Sequence, residues 1–259
     1  MHYQQEKQDY DRDGFVIVRQ FLTGHDLDEL RDSLHRYIRD VVPTLPDSAA
    51  FYQDRSRPET LKQMQHMDGD VFFRDYTKHW KWVELAEALV GEPAAADSPE
   101  WFNKPPGTVH VTPPHQDNYY FCLAPSSVVT IWLALDPVQE ANGCLRYVRG
   151  SHLRGFRAHA PSNILGFSQG ITDYGRDDLA RETQIHLQPG DAVAHHGMTI
   201  HRADPNRSPT RHRRAFAIVF KGVNCKRDEA AFARYMASVK TQHESMGLQT
   251  STKDERLTN

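Results

Sequence analysis

A short triplet near the middle of the chain, His115-Gln116-Asp117, brings together two side chains that bind metals. In a β-strand, residues two apart project from the same face, so the imidazole of His115 and the carboxylate of Asp117 would lie side by side. Such a triplet is common by chance, and a metal site needs a third ligand. His201, which follows a Pro-Gly-Asp turn and a short apolar run, is the candidate. Two imidazoles and one carboxylate form the facial triad typical of non-heme Fe(II) sites, which leaves three coordination positions open.

A cluster of basic residues, from Arg211 to Arg214, follows His201 at the start of the alternating segment RRAFAIVF. A fixed guanidinium can bind a carboxylate through two parallel hydrogen bonds, which suits a dicarboxylate co-substrate whose other end chelates the metal. By themselves, these residues could equally form a solvated basic turn or a weak phosphate-binding patch. Their combination with the triplet and the distal histidine favours a co-substrate site.

A series of segments along the chain resembles the phytanoyl-CoA dioxygenase-like branch of the Fe(II)/2-oxoglutarate oxygenases. The segments occur in the family's order and at compatible spacings, and they cover about residues 10–222. They are DGFVIV (13–18), NKPPG (103–107), HQDNYYF (115–121), ALD (134–136), NGCLRYVRGSH (142–152), PGD (189–191), PNRS (205–208) and Arg-Arg-Ala (213–215). The series is a more specific match than any one motif.

The resemblance implies a mainly β fold with flanking helices, a double-stranded β-helix of the jelly-roll, cupin-like type. It also implies that His115, Asp117 and His201 hold Fe(II) and act in catalysis, with 2-oxoglutarate and O2 as co-substrates and ascorbate as the reductant in vitro. Hydroxylation of a C–H bond, with release of succinate and CO2, is then the expected reaction, and desaturation or cyclisation stays open. Because related halogenases replace the carboxylate, Asp117 argues against halogenation.

The same resemblance assigns the distal carboxylate of 2-oxoglutarate to an arginine that follows the distal histidine. The family's residue count falls on His212, whereas the Arg-Arg-Ala pattern falls on Arg213, with one residue inserted in the preceding turn. We predict Arg213, because it heads a face of small residues that leaves room for a co-substrate, namely Ala215, Ala217 and Val219. Arg211 and Arg214 remain alternatives.

Two further cofactor-binding residues follow from the resemblance. Trp132 matches a tryptophan that lines the 2-oxoglutarate pocket, although plain core is the alternative for a tryptophan in a strand. Lys62 matches a lysine that some relatives use for the same ligand. The small hydroxyl that the family often has two residues after the distal histidine is replaced by Ala203, so that contact is lost.

Side chains near the triplet are candidates for contacting the substrate. Tyr119 and Tyr120 follow the triplet, so one should face the cleft and the other should pack outward. Arg146 and the arginines near it could meet an anionic substrate, with a solvated loop as the alternative. His195 and His196 are expected to line the cleft or the surface rather than to bind the metal.

The elements that must position these residues are predicted from apolar spacing and from turn residues. Residues 14–18 predict a buried strand, Thr23 predicts the N-cap of a helix that ends before Pro43, and a second helix is expected from about His79 to Val90. Seven or so short strands, as in a jelly roll, are expected near 98–103, 115–123, 128–135, 143–148, 183–187, 191–196 and 213–220.

No internal repeat or Gly/Ser linker divides the 259 residues, so we predict a single oxygenase domain over 1–259. Its jelly-roll core is expected at about 94–222, with an N-terminal strand and helices at 10–92 and a C-terminal helix and tail at 223–259. The weakly periodic segment 151–182 is long enough to cover the cleft as a lid.

The composition argues against several other classes of protein. With 31 Lys+Arg against 34 Asp+Glu the net charge is −3, so we expect no nucleic acid partner, and no segment approaches the ~18 apolar residues of a membrane span. Three scattered cysteines fit a reducing compartment, so a cytoplasmic localisation is expected. The expected partner is a small-molecule substrate, and the oligomeric state is open. The main alternative function is a non-catalytic metal- or ligand-binding jelly roll.

Overall fold

The computed structural model describes residues 2–46, 49–164 and 167–245. Its strands are β1 (Phe15–Val18), β2 (Ala50–Tyr52), β3 (Leu61–Met64), β4 (Ala94–Ala96), β5 (Glu100–Lys104), β6 (Thr112–His115), β7 (Leu123–Ala124), β8 (Val128–Ala134), β9 (Leu145–Val148), β10 (His159–Ile164), β11 (Phe167–Ile171), β12 (Glu182–Gln184), β13 (Ala192–His196), β14 (His201–Ala203), β15 (Arg213–Gly222) and β16 (Lys226–Arg227). Its α-helices are α1 (Gln4–Asp13), α2 (His25–Arg36), α3 (Val71–Tyr76), α4 (Trp80–Val90), α5 (Asn118–Phe121), α6 (Arg176–Leu179) and α7 (Glu229–Ser245).

Two antiparallel sheets form the body of the fold. The larger sheet has the strand order β1-β13-β8-β15-β5-β3-β2, with β4 also paired to β15, and the smaller has the order β12-β9-β14-β6. Because neighbours in each sheet are distant in sequence, the pairing of β14 with β6 brings two of the candidate metal ligands together. The prediction of a mainly β jelly roll with flanking helices is confirmed.

Strand β8, VVTIWLA, is buried along its whole length because both of its faces are covered. Ile131 and Leu133 pack into an outer core, whereas Trp132 and Ala134 lie in the interior between the two sheets. Helices α2 and α4 cover the outer face of the larger sheet with apolar residues at helical spacing, which are Leu27, Leu30, Leu34, Trp82, Leu85 and Leu89. The helices therefore stabilise the sheet from outside and leave its inner face for the site.

Several local predictions need correction or extension. Helix α2 has Gly24 rather than Thr23 as its N-cap residue, and in the part of the chain that the structure describes no side chain caps it. The predicted strand 115–123 is wrong, because β6 ends at His115 and α5 follows at once. Helix α1 and strands β2 and β3 are additional to the predicted elements. A π-helical turn, Tyr37–Val41, extends α2 towards Pro43.

The segment 151–182 contains the hairpin β10–β11, which packs against β6. A Cβ added at Gly170 in this hairpin would lie 3.3 Å from Cβ of Pro113, two residues before His115. Whether the hairpin acts as a lid stays a prediction. The predicted C-terminal helix is present as α7, and the tail from 246 to 259 lies outside the described residues. Among the described residues, helices long and apolar enough to cross a membrane are absent.

Gly190, in the turn before β13, occupies a position that does not accommodate a side chain. Its φ is 89°, and an added Cβ would lie 2.2 Å from the carbonyl oxygen of Leu22. The chains approach this closely because the N–H of Leu22 donates to the carbonyl of Gly190 at 3.0 Å. We expect Gly190→Ala to lower the free energy of unfolding by about 2–4 kcal/mol through backbone strain and displacement of Leu22, as measured by urea unfolding.

The matched control is Gly91→Ala, at the C-cap of α4. Gly91 has a similar φ of 84°, but none of the described residues places an atom within 4 Å of an added Cβ. The left-handed backbone alone should cost this variant about 1–2 kcal/mol. Equal losses of stability in the two variants would contradict the steric explanation for Gly190.

Candidate metal centre

Three side chains from two separate parts of the chain meet at one end of the space between the sheets. His115 closes β6 and is the register partner of His201 on β14, so their rings lie 4.1 Å apart between centroids. Asp117 has helical backbone angles of −58° and −38° at the start of α5, which turns its carboxylate back towards both rings. One donor atom from each residue lies within 4.8 Å of the others. The triplet thus converges through a turn and not through strand alternation.

Backbone carbonyls fix the orientation of both imidazoles. Nδ1 of His115 lies 2.8 Å from the carbonyl of Pro113, and Nδ1 of His201 lies 3.0 Å from that of Thr199. A carbonyl only accepts, so each Nδ1 donates, and in that tautomer Nε2 is the nitrogen whose lone pair can bind a metal. Burial and the neighbouring His115 lower the pKa of His201 well below its ordinary value. This imidazole is therefore neutral and able to bind a metal.

The donor set fits a divalent metal ion. Asp117 Oδ1 lies 3.3 Å from His115 Nε2 and 3.5 Å from His201 Nε2. Ligand atoms that sit about 2.0–2.2 Å from one ion are roughly 3 Å apart when adjacent, so these three need little movement. Burial opposes ionisation of Asp117, but the charge that His201 and its neighbouring imidazoles gain when they are protonated at low pH outweighs it and holds the pKa of the carboxyl well below its usual range. Two neutral nitrogens and one carboxylate suit Fe(II).

Arg213 is a buried cation that lies inside the fold without an acidic partner among the described residues. It is 5% exposed, and its guanidinium carbon lies 5.2 Å above the ring of Trp132. Within the described part of the chain, its Nε has no hydrogen-bond partner. Burial lowers the pKa of Arg213 to about 10, which still leaves it charged at neutral pH. A buried charge of this kind is costly unless a partner reaches it, and the carboxylate of a bound molecule would serve.

The neighbouring basic side chains are already engaged. Arg211 donates to Gln139 Oε1 at 2.8 Å on the surface, and Arg214 binds both carboxylate oxygens of Asp136 at 2.7 and 2.8 Å. Nδ1 of His212 lies 3.2 Å from Asn103 Oδ1. Of the four basic residues in this cluster, Arg213 is thus the one placed to receive a carboxylate from the interior.

The structure separates the two other predicted cofactor residues. Trp132 lies between the two sheets, opposite Ala217 on β15. With Ala215 and Ala217 it belongs to the buried residues that fill this space, which we call the interior cluster. Lys62 lies on β3, where burial lowers the pKa of its ammonium. Its neighbour Gln63, not Lys62, is paired in register with Phe102, which packs against that interior cluster. The assignment of Lys62 to the co-substrate stays a prediction.

Tyr119 and Tyr120 were expected to point in opposite directions, but both reach the β10–β11 hairpin. Tyr119 stacks on His159 of the β10–β11 hairpin with ring centroids 3.9 Å apart, and the Tyr120 ring lies 5.7 Å from that of His115. The Tyr120 hydroxyl donates to the carbonyl of Gln169 at 2.7 Å. Both tyrosines therefore lie between the metal ligands and the hairpin.

The prediction that Arg146 contacts the substrate needs a correction, because the structure does not bring this side chain to the cleft. Its neighbours on β9, Leu145 and Tyr147, belong to the interior cluster, so Arg146 projects from the outer face of the smaller sheet. There its Nε donates to Asp204 Oδ2 at 2.6 Å. The sequence shows an arginine near a conspicuous turn, but not which face of β9 it occupies.

Glu100 is an interior acid that sequence analysis missed. It begins β5 opposite Ala217, and Ala217 pairs with Trp132 on its other side, so all three face the interior. Burial raises the pKa of Glu100 to about 7. A hydrogen bond from Gln63 at 3.1 Å opposes this shift, and the charge of Asp117 adds to it. The alternation of EWFNK in a strand was the available signal.

This raised pKa predicts a pH-dependent stability effect. The folded chain holds a proton on Glu100 more tightly than the unfolded chain, so Glu100 contributes stability at low pH that is lost as pH rises through about 7. Relative to the wild type, Glu100→Gln should therefore gain stability between pH 5 and pH 8, on the order of 1–2 kcal/mol in the metal-free protein. Urea unfolding at both pH values measures the difference, with Glu29→Gln on the exposed face of α2 as the control. The same difference in stability between Glu100→Gln and the wild type at both pH values would contradict this prediction.

Comparison with known proteins places this arrangement in a class and then in a family. Among solved structures, the epimerase SnoN, in complex with Fe3+, alpha ketoglutarate and nogalamycin RO, aligns with a TM-score of 0.69 at 20% identity, covering 86% of this chain and 85% of that chain. The alpha ketoglutarate dependent carbocyclase SnoK aligns with a TM-score of 0.68 at 20% identity, covering 89% and 90%. The fold is thus that of the iron- and 2-oxoglutarate-dependent jelly rolls.

A family model, phytanoyl-CoA dioxygenase (PhyH), matches residues 10–215. Phytanoyl-CoA dioxygenase 1 of Oryza sativa subsp. japonica is 32% identical over 245 residues, covering 81% of this chain and 86% of the relative. The peroxisomal phytanoyl-CoA dioxygenase of Bos taurus is 26% identical over 237 residues, covering 85% and 69%. The chain belongs to the phytanoyl-CoA dioxygenase family, whose cofactors are Fe(II) and 2-oxoglutarate.

Proposed function

We propose that the chain is a cytoplasmic Fe(II)- and 2-oxoglutarate-dependent dioxygenase that hydroxylates a C–H bond of a small organic molecule. His115, Asp117 and His201 would hold the iron, and Arg213 would bind the distal carboxylate of 2-oxoglutarate. The observation that carries this proposal is the buried guanidinium of Arg213, which lies in the same interior as the metal ligands and has no acidic partner among the described residues.

The residues of the chain have separable tasks in this reaction. When bound, iron and 2-oxoglutarate supply the oxidising chemistry, in which 2-oxoglutarate, O2 and a C–H bond give succinate, CO2 and an alcohol. Arg213 would orient the co-substrate through two parallel hydrogen bonds, and the small side chains of Ala215 and Ala217 leave space along β15. The apolar walls of Trp132 and Tyr147 would keep bulk water from the reacting centre.

The surroundings of the site support a substrate with both an apolar and a hydrogen-bonding part. Tyr119, His159 and the exposed Phe156 form an aromatic surface beside the metal ligands. Glu100 offers a carboxyl group in the interior, which suits a hydroxyl or an amine on the substrate. The curated relatives are named for a CoA ester and the similar structures for epimerisation and carbocyclisation, so the reaction outcome has to be measured on the product.

The experiment measures succinate formed from 2-oxoglutarate by anaerobically purified protein after addition of Fe(II), ascorbate and air. Candidate small molecules are then screened for faster succinate formation, and the molecular mass of the product is measured by mass spectrometry. A gain of one oxygen atom supports hydroxylation, whereas loss of two hydrogens indicates desaturation or cyclisation. Iron binding without succinate from any candidate would favour the non-catalytic binding protein.

A further inference from the structure

A third histidine lies beside the metal ligands but is oriented differently from them. His195 on β13 is 2% exposed, and its ring centroid lies 4.5 Å from that of His201. Its Nε2 lies 3.0 Å from Asp117 Oδ2, and its Nδ1 lies 2.9 Å from the hydroxyl of Tyr147. His195 therefore bridges a buried tyrosine and the carboxylate of the candidate metal site.

The hydrogen-bond partners assign the protons along this chain of groups. A carboxylate only accepts hydrogen bonds, so Nε2 of His195 carries the proton that it donates to Asp117. When Nε2 is the protonated nitrogen of the ring, Nδ1 is an acceptor, and the Tyr147 hydroxyl donates to it at 2.9 Å. This tautomer is the opposite of that of His115 and His201, whose Nδ1 atoms donate to backbone carbonyls. His195 thus presents a proton towards the site where the other two present a lone pair.

A second donor reaches the same carboxylate oxygen. Thr130 Oγ1 on β8 donates to Asp117 Oδ2 at 2.9 Å. With His195 and Thr130 both on Oδ2, the oxygen that faces the Nε2 atoms of His115 and His201 is Oδ1, at 3.3 and 3.5 Å. The two carboxylate oxygens therefore have different surroundings: one is saturated with donors and the other is turned to the metal ligands.

We propose that His195, held by Tyr147, is a positioning residue that makes Asp117 a one-oxygen ligand of the metal. The inference rests on the proposed function, because the need for a one-oxygen ligand comes from the binding of 2-oxoglutarate and O2 to the same metal. A six-coordinate ion with three protein ligands keeps three positions, of which a chelating 2-oxoglutarate takes two and leaves one for O2. A carboxylate that bound through both oxygens would take that last position. The hydrogen bonds to Oδ2 prevent this.

The test compares metal binding by four variants in the otherwise intact chain, under anaerobic conditions with Co(II) as the probe. His195→Phe keeps the ring volume but removes the donor, and His195→Gln restores an N–H donor. Tyr147→Phe removes only the hydroxyl that fixes the His195 tautomer. His196→Phe is the matched control, because that neighbouring ring packs against Tyr10 and His152 instead of the metal ligands.

We expect His195→Phe to weaken Co(II) binding about 10–100-fold, the range found when a hydrogen-bond partner of a metal ligand is lost. Tyr147→Phe should weaken it less, His195→Gln should recover most of the affinity, and His196→Phe should leave it within about threefold. The visible Co(II) spectrum, which changes with coordination number, should shift in His195→Phe in the presence of 2-oxoglutarate and not in His196→Phe.

Unchanged affinity and spectrum in His195→Phe would overturn the inference. If His195→Phe does not fold, Tyr147→Phe and His195→Gln decide: Tyr147→Phe must lower the affinity more than His196→Phe does, and equal effects would overturn it. Failure of the proposed function can be distinguished from failure of this inference. Wild-type protein that binds Co(II) but forms no succinate would contradict the oxygenase assignment. The ranking of Co(II) affinities among the variants would still test the role of His195.

Discussion

Replacement of His115 by alanine should abolish the formation of succinate from 2-oxoglutarate. His115 and Asp117 are 3.3 Å apart at their donor atoms, and His201 completes the set, so removal of one imidazole leaves two ligands for the metal. Loss of a mere hydrogen-bond partner of a ligand costs about 10–100-fold in metal affinity or activity, and loss of a ligand should exceed about 100-fold. The measurements are succinate formation and Fe(II) affinity, each beside the wild type.

His110→Ala is the control for this prediction. His110 is exposed in the loop before β6, only five positions from His115, so the same substitution there changes composition equally without touching the site. It should keep wild-type turnover. Full activity in folded His115→Ala, or equal loss in both variants, would contradict the assignment of His115 as a ligand.

Replacement of Arg213 by alanine should weaken the binding of 2-oxoglutarate while leaving Fe(II) bound. Truncation of one partner of a buried, hydrogen-bonded charge pair typically costs about 2–5 kcal/mol, which corresponds to roughly 30-fold to several thousandfold in the dissociation constant. Arg213→Lys should recover only part of the loss, because an ammonium cannot make two parallel hydrogen bonds to a carboxylate. Anaerobic titration of the Fe(II)-loaded protein with 2-oxoglutarate measures the effect.

The control variants are the two arginines that the sequence left as alternatives. Arg211→Ala removes an exposed contact with Gln139, and Arg214→Ala removes an ion pair with Asp136 on the outer face of the sheet. Both should keep the wild-type affinity for 2-oxoglutarate, with a loss of stability in Arg214→Ala. A large effect in either, with Arg213→Ala unchanged, would transfer the carboxylate site to that residue.

The sequence predicted which residues meet at the site better than it predicted how they meet. His201 was expected beside His115 as the third ligand, and the structure makes the two histidines register partners on β14 and β6. The strand predicted over 115–123 fails because β6, at the edge of the smaller sheet, ends at His115 and the backbone turns into α5. Strand alternation therefore does not explain the position of Asp117, since a helical turn places its carboxylate.

Contacts between distant strands account for what the sequence could not indicate. The Arg213 prediction relied on the narrow face of β15, and Ala215 and Ala217 of that face do line the interior. Glu100 and His195 acquire their surroundings only from pairing: Glu100 through Ala217 on β15, and His195 through Tyr147 on the opposite sheet. A single sequence shows neither partner, because each lies more than forty residues away along the chain.

The most direct test of the account is an anaerobic titration of the Fe(II)-loaded protein with 2-oxoglutarate, followed by visible absorption. We predict the weak visible band of a 2-oxoglutarate chelate of Fe(II) in the wild type. The band should be absent in His115→Ala and should require far more 2-oxoglutarate in Arg213→Ala. Wild-type protein that holds iron and stays colourless at saturating 2-oxoglutarate would contradict the shared site for metal and co-substrate.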